Sequence, residues 1–157
     1  MLKNNLFQDK QLATFISDRG QGNIDLRFGV KGEAMNNRKK LVKFLNCNLT
    51  DLHEMEQVHG SQTGIIEKKI KKNILLKTDA LITNLKNVFL MVKTADCFPL
   101  LFFDSEKKVI AVCHVGWRGA VEKIFLKTLL LMMSHFHCSA GKIRVVIGPV
   151  SRKCCFK

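Results

Sequence analysis

Two histidines and one cysteine stand where the chain leaves predicted strands. Their segments are Gln57-Val58-His59-Gly60, Thr94-Ala95-Asp96-Cys97-Phe98-Pro99 and His114-Val115-Gly116-Trp117-Arg118-Gly119. A single histidine or cysteine at such a position is usually a structural residue. Three of them at separate strand ends indicate a shared site, because side chains at the edge of a sheet can converge on one pocket.

Two imidazoles and one thiolate form a suitable ligand set for zinc. Catalytic zinc sites usually have three protein ligands and keep a fourth position for water or substrate. The wide spacing of His59, Cys97 and His114 along the chain excludes a zinc finger, whose ligands come in close pairs. It favours a site that the fold assembles.

The elements around these residues predict an α/β (α+β) domain with layered, mixed β-sheets flanked by helices. Apolar runs rich in Val, Ile and Phe are typical of strands buried on both faces, which need a covering layer on each side. Such runs occupy 87–93, 99–103 and 109–112. Further strands are predicted at 12–16, 25–28, 55–58, 64–67 and 142–147.

Two helices are predicted, at 33–46 and 119–135. In the second, predicted to be the longer, apolar residues recur at steps of three and four. Its additional apolar residues Leu130, Leu131 and Met133 predict that much of this helix is buried.

Composition indicates one soluble globular domain. The chain has 157 residues, of which 46% are hydrophobic and 25% charged, enough for a core of ordinary size. Lysine and arginine outnumber acidic residues by 26 to 13, and this net charge of +13 attracts anionic ligands. The short lysine runs are interpreted as solvated surface. No nucleic-acid-binding motif is present, so we do not expect nucleic acid as a partner.

The cysteines and the N-terminal sequence predict a cytoplasmic location. The six cysteines lack regular spacing, and the polar beginning of the chain lacks the apolar segment of a signal peptide. Thiols that are not secreted are expected to stay reduced. The longest apolar stretch is far too short to span a bilayer, so we expect no membrane association.

The three segments, in this order, resemble the signature of the laccase-domain (polyphenol-oxidase-like) family of purine nucleoside phosphorylases. The resemblance covers nearly the whole chain. Supporting matches are Asn37-Arg38 followed by Leu41, Asp79-Ala80-Leu81-Ile82-Thr83, Ile147-Gly148-Pro149 and Cys154-Cys155.

The resemblance implies a fold similar to the cytotoxic-necrotizing-factor-like cysteine hydrolases, with zinc bound by His59, Cys97 and His114. It further implies phosphorolysis of adenosine, inosine or methylthioadenosine. The products are the free base and ribose 1-phosphate or its methylthio analogue. Adenosine deamination is an implied side activity. Five histidines are too few for an additional multi-copper cluster, although copper can be expected to occupy the zinc site.

Two further residues are candidates for catalytic roles. Arg118 is predicted to bind phosphate, because a guanidinium can bind two phosphate oxygens at once; its alternative is a structural ion pair. Asp96 is predicted to orient a metal ligand or to cap the turn after Thr94. Trp117 is expected to pack in the core, with ring stacking on a ligand as the alternative.

The chain also departs from the family pattern. Members normally continue well beyond the Cys-Cys segment, so we expect 1–157 to be a single domain that lacks its C-terminal part. Asp25 stands where the family tends to have asparagine, and a carboxylate there is expected to alter substrate binding.

Two rival functions fit the same residues. In a metal-free cysteine hydrolase or deamidase, Cys97 is the nucleophile and His114 the base. Alternatively, the chain is a basic module that binds polyanions without catalysis, with an affinity that falls steeply with salt. The sequence leaves the preferred nucleoside and the oligomeric state open.

Overall fold

The structure is a computed structural model that describes residues 2–3, 6–68, 73–152 and 154–155. These residues contain ten strands and three α-helices. The strands are β1 (Leu2–Lys3), β2 (Phe15–Ile16), β3 (Leu52–Met55), β4 (Thr63–Ile65), β5 (Ile74–Leu75), β6 (Ala80–Thr83), β7 (Phe89–Met91), β8 (Phe98–Asp104), β9 (Val109–Val115) and β10 (Ile143–Ile147). The helices are α1 (Lys31–Leu45), α2 (Trp117–Val121) and α3 (Ile124–Phe136).

The strands form two main sheets, and the first of them is mixed. Its order is β10-β8-β9-β6-β4, with β4 parallel to β6 and every other neighbouring pair antiparallel. The second sheet, β5-β3-β7, is parallel. Strands β1 and β2 form a separate antiparallel pair. This architecture confirms the predicted α+β class with layered sheets and flanking helices.

The large sheet is covered on both faces, as its apolar strands predict. Along β9, Ala111, Cys113 and Val115 pack under α3, against Ile124 and Met132. Between them, Val112 points the other way and packs with Met55 of the small sheet. Alternate residues of a strand point to opposite faces, so β9 contributes to two cores at once.

Helix α1 covers the outer face of the small sheet. Its buried residues Ala34, Arg38 and Val42 lie at steps of four, which places them on one face. Val42 packs against Leu52 and Met91. The helix agrees with the predicted 33–46.

A buried ion cluster fastens α1 to the strands below it. Arg38 binds the carboxylate of Glu54 through two hydrogen bonds of 2.6 and 2.8 Å, and the Lys93 ammonium lies 2.8 Å from the same carboxylate. Burial alone would raise the pKa of Glu54, but the hydrogen bonds from Arg38 and Lys93 hold it below its ordinary value. The negative charge of Glu54 is therefore compensated inside the protein by two cations.

Several predicted strands differ from the structure. The predicted strand 25–28 is wrong: it is a turn in which the Phe28 amide donates to the Asp25 carbonyl. The predicted strand 12–16 is confirmed only at β2, and the predicted strand 55–58 overlaps β3 only at Met55. Strands β1, β5 and β6 are not predicted from the sequence.

The predicted helix 119–135 is two helices. Lys123 separates α2 from α3 with a φ of +57°, in the left-handed region. With 13 residues, α3 is shorter than the 15-residue α1. The expected burial is also wrong, since Leu130 is 52% exposed. None of the helices in the described part of the chain has the length and apolar composition needed to cross a bilayer.

The left-handed backbone at Lys123 provides a test of this break. A non-glycine residue in this region costs about 1–2 kcal/mol, part of which glycine recovers despite its greater freedom in the unfolded chain. We expect Lys123→Gly to raise the free energy of unfolding by about 0.5–1 kcal/mol, measured by chemical denaturation. The control Ala120→Gly, inside α2, should lower it by about 1 kcal/mol. Destabilisation by Lys123→Gly would contradict this account.

Candidate metal centre

The three predicted ligands meet at one edge of the large sheet. His59 lies in the turn between β3 and β4, Cys97 directly precedes β8, and His114 lies near the end of β9. Their potential ligand atoms all lie within 4.8 Å of one another. Two ligands of a tetrahedral zinc are about 3.5 Å apart, given bond lengths of about 2.0–2.3 Å. Small side-chain movements would bring the three atoms to that spacing.

Sheet register explains why Cys97 and His114 are neighbours. In the antiparallel pair of β8 and β9, Phe98 is opposite Val115 and Pro99 is opposite His114. Residues that face each other in this way have Cβ atoms about 4.5–5.5 Å apart. Cys97, one residue before β8, is therefore held beside the end of β9.

Asp79 is the residue that organises the centre. It directly precedes β6, and its side chain is completely buried. One carboxylate oxygen accepts hydrogen bonds from the His114 ring nitrogen Nδ1 at 2.8 Å and from the His59 amide at 3.0 Å. The other accepts from the amides of Gly60 at 2.8 Å and Val58 at 3.2 Å. One carboxylate thus holds two of the three ligand segments.

The bond to Asp79 also determines which His114 nitrogen can bind a metal. Burial alone would raise the pKa of Asp79, but the hydrogen bonds from His114, Gly60 and Val58 hold it below its ordinary value. Because an ionised carboxylate can only accept, Nδ1 of His114 must carry a proton. The lone pair on Nε2 is then free for a metal ion, which is the usual arrangement for metal-binding histidines.

The His59 turn depends on the same carboxylate. His59 has a φ of +60°, which is costly for a residue with a side chain. Three successive amides, from Val58 to Gly60, point at Asp79 and offset this cost. Such a concave run of backbone N–H groups is a typical anion-binding arrangement.

Helix α2 closes the other side of the His59 turn, and two glycines allow the close approach. A Cβ on Gly116 would lie 2.8 Å from Cδ2 of the His59 ring. A Cβ on Gly119 would lie 2.8 Å from the carbonyl oxygen of Gly60. Both distances are below ordinary contact, so these positions must lack a side chain for the helix to pack here.

The three candidate ligands differ in their exposure to solvent. His114 is 3% exposed, Cys97 is half-buried, and His59 is exposed. Burial, followed by the nearby carboxylates of Asp96 and Asp79, raises the pKa of the Cys97 thiol. The metal-free thiol is thus protonated at neutral pH, and the open side at His59 faces solvent.

The other predicted residues lie around this centre. Arg118 is exposed, with its guanidinium carbon 5.1 Å from the centre of the Trp117 ring. In the part of the chain that the structure describes, Arg118 forms no ion pair, so its alternative as a structural ion pair is not seen. Asp96 is exposed and accepts a hydrogen bond of 2.8 Å from Ser151. The roles of Arg118 and Asp96 stay predictions.

The structure also shows the surroundings of Trp117 and Asp25. Trp117 does not pack in the core, since it is 70% exposed. The Asp25 carboxylate is engaged by Arg27 at 2.8 Å and Lys93 at 3.3 Å. Burial alone would raise the pKa of Asp25, but Arg27 and Lys93 hold it well below its usual range.

Asp79 is the functional residue that sequence reasoning did not assign. Its segment was recognised only as a match to a family, with no role for the carboxylate. The available signal was an acidic residue directly before the apolar run Ala80-Leu81-Ile82. That position places a carboxylate at the edge of the sheet where the ligands lie.

Comparison with known proteins identifies the family of this mixed two-sheet fold. The sequence model of the family described as multi-copper polyphenol oxidoreductase laccase matches residues 20–157. The chain belongs to this family.

Three relatives show how far the similarity reaches. A Clostridium acetobutylicum protein named purine nucleoside phosphorylase is 34% identical over 96% of this chain and 61% of its own length. Adenosine deaminase RL5, from an unknown prokaryotic organism, is 31% identical over 76% of this chain and 48% of its own length. The crystal structure of YlmD from Geobacillus stearothermophilus superposes with a TM-score of 0.80 at 28% identity, covering 85% of this chain and 53% of YlmD. The chain therefore spans about half to three fifths of the length of these relatives.

Removing the Asp79 charge tests its organising role. In Asp79→Asn the amide nitrogen cannot accept a hydrogen bond, so at least one buried donor is left unpaired. We expect zinc affinity to fall about 10- to 100-fold, measured by competition with a chromophoric chelator, and stability to fall by about 1–3 kcal/mol.

Asp104→Asn is the matched control for that variant. Asp104 is also buried and accepts two backbone amides, but it lies at the far end of β8. It should lose stability while keeping zinc affinity. Equal zinc affinity in both variants would show that Asp79 does not orient the ligands.

The contact between Gly116 and His59 provides a second test. In Gly116→Ala the added methyl displaces the His59 ring, so zinc affinity should fall by about tenfold or more. Gly32→Ala is the control, because a Cβ on Gly32 meets no atom within 4 Å. Isothermal calorimetry with zinc would measure both, and unchanged affinity in Gly116→Ala would place His59 outside the metal centre.

Proposed function

We propose that this protein is a zinc enzyme that cleaves purine nucleosides with phosphate. The observation that carries the proposal is the convergence of His59, Cys97 and His114 within 4.8 Å. Inosine, adenosine and methylthioadenosine are the proposed substrates. The free base and ribose 1-phosphate, or its methylthio analogue, are the proposed products.

The residues fit zinc by their chemistry and their surroundings. Two imidazoles and one thiolate match the ligand types and the number found at catalytic zinc sites. Asp79 presents Nε2 of His114, and the exposed side of the centre at His59 leaves room for a fourth ligand. Zinc bound here would act as a Lewis acid toward a purine or water in that position. Copper could be held by the same three residues.

The chain's own residues supply the remaining requirements of phosphorolysis. The Arg118 guanidinium is exposed and has no carboxylate partner among the described residues, so it can bind two oxygens of a phosphate. The net charge of +13 draws anionic phosphate toward the protein. The buried Asp79 carboxylate accepts hydrogen bonds only from the protein, so it orients His114 and does not exchange protons with substrate. Asp96, beside Cys97, is proposed to help fix the Cys97 segment through Ser151.

The names of the relatives support this substrate class. One is named purine nucleoside phosphorylase and another adenosine deaminase. Both chemistries act on a purine nucleoside, which makes adenosine deamination the second candidate activity. Because this chain spans only part of each relative, we propose the activity for it and do not transfer it from the relatives' names. Its dependence on a Cys97 thiol agrees with the cytoplasmic location that the sequence predicts.

The rival functions make different demands on the same residues. A metal-free cysteine hydrolase needs an activated thiolate, whereas the environment of Cys97 raises its thiol pKa. A polyanion-binding module needs neither Cys97 nor a metal. The zinc proposal alone requires all three ligands and phosphate together.

Metal analysis combined with an inosine assay tests the proposal. We expect about one zinc ion per chain and hypoxanthine release that requires phosphate. Chelation should abolish the release and added zinc should restore it, because the three ligands supply the site. In Cys97→Ala both zinc content and hypoxanthine release should be lost.

The control and the opposing outcomes are distinct. Cys47→Ala removes a thiol outside the centre and should keep both zinc and activity. Hypoxanthine release without phosphate would indicate hydrolysis instead of phosphorolysis. Activity that survives chelation would favour the cysteine hydrolase, and polyanion binding that survives Cys97→Ala without any nucleoside turnover would favour the binding module.

A further inference from the structure

Each of the three ligand segments exposes an apolar side chain close to its ligand. Val58 precedes His59 and is 46% exposed, and Phe98 follows Cys97 and is also 46% exposed. Trp117, three residues after His114, is 70% exposed. Exposed apolar side chains grouped around a polar centre are typical of ligand-binding sites.

Packing places Trp117 at the rim of the metal centre. Its neighbours Gly116 and Gly119 approach the ring of His59 and the carbonyl of Gly60 closely enough to exclude a Cβ atom. The first turn of α2 is therefore seated on the His59 turn. Trp117 belongs to that first turn.

Phe98 lies at the same end of the large sheet as Trp117, as the strand register shows. It is paired with Val115, two residues before Trp117, across β8 and β9. Cys97 lies immediately before this pair. The aromatic residues thus come from the two segments that supply Cys97 and His114.

The contact between the Arg118 guanidinium and the Trp117 ring indicates the kind of ligand that could bind beside them. The guanidinium carbon of Arg118 lies 5.1 Å from the centre of the Trp117 ring, a cation–π distance. A ring held on one side in this way leaves its other face for a second planar group. A planar base stacked there would sit beside a fixed positive charge that suits phosphate.

We propose that Trp117 is the stacking platform for the purine base, with Val58 adding exposed apolar surface beside His59. This inference rests on the proposed function and names the part of the site that recognises the base. Stacking of a nucleic-acid base on an aromatic side chain is tolerant of base identity. The site should accept hypoxanthine and adenine in preference to a sugar alone.

The composition provides a direct measurement. Trp117 is the only tryptophan and the chain has no tyrosine, so long-wavelength protein fluorescence reports on Trp117 alone. We expect saturable quenching by inosine and by hypoxanthine, and none by ribose 1-phosphate at the same concentrations. Quenching by ribose 1-phosphate that equals quenching by hypoxanthine would overturn the inference.

Substitutions provide a second, independent readout. Trp117→Ala should weaken hypoxanthine binding in calorimetry about 5- to 100-fold, as expected for loss of one stacked base. Trp117→Phe should recover most of that loss. Leu126→Ala is the matched control: Leu126 is 39% exposed on α3, outside the ligand segments, and its loss should leave binding unchanged. Circular dichroism would verify that each variant is folded.

The outcomes separate this inference from the proposed function. Phosphorolysis with no base-dependent quenching, and with unchanged KM for inosine in Trp117→Ala, would overturn the platform and leave the proposed function standing. Base-dependent quenching and tighter binding to wild type than to Trp117→Ala, without phosphorolysis, would support the platform and overturn the proposed function.

Discussion

A single buried carboxylate holds the candidate metal centre together. Asp79 accepts hydrogen bonds from the His114 ring and from the amides of three consecutive residues in the His59 turn. A buried charge is tolerated only when it is paired or fully hydrogen-bonded, and here the hydrogen bonds come from the elements that carry the ligands. The hydrogen bonds that satisfy Asp79 thus also position two of the three ligands, His59 and His114.

A second polar network links that centre to the rest of the fold. Arg38, Glu54, Lys93 and Asp25 form a chain of close charges between α1 and the small sheet. Arg27 extends it, since its guanidinium binds Asp25 and donates to the Gln57 carbonyl. The Gln57 amide also bonds twice to the Lys93 backbone, at 2.7 and 2.9 Å. The chain entering the His59 turn is thereby fixed on one side by charge and on the other by Asp79.

The sequence predicts the three candidate ligands better than it predicts the residue that positions them. His59, Cys97 and His114 were identifiable because each residue type is a metal donor and each stands at a strand end. Asp79 was assigned no role because its partners are distant along the chain, and its bonds exist only after β6 and β9 pair.

The break between α2 and α3 at Lys123 was missed for a different reason: no glycine or proline marks it, and the apolar period continues through it. Trp117 was expected inside because an aromatic residue beside buried strands usually packs there, whereas the close seating of Gly116 and Gly119 turns it outward.

The origin of the three ligands on separate, non-local elements has a thermodynamic consequence. The unfolded chain holds no arrangement resembling the centre, so an ion would bind the native state almost exclusively. Under such linkage, each tenfold rise in free ion above its dissociation constant adds about 1.4 kcal/mol to the native state. The melting temperature of this protein would then be a property of its solution as much as of its sequence, and a chelator would act as a denaturant.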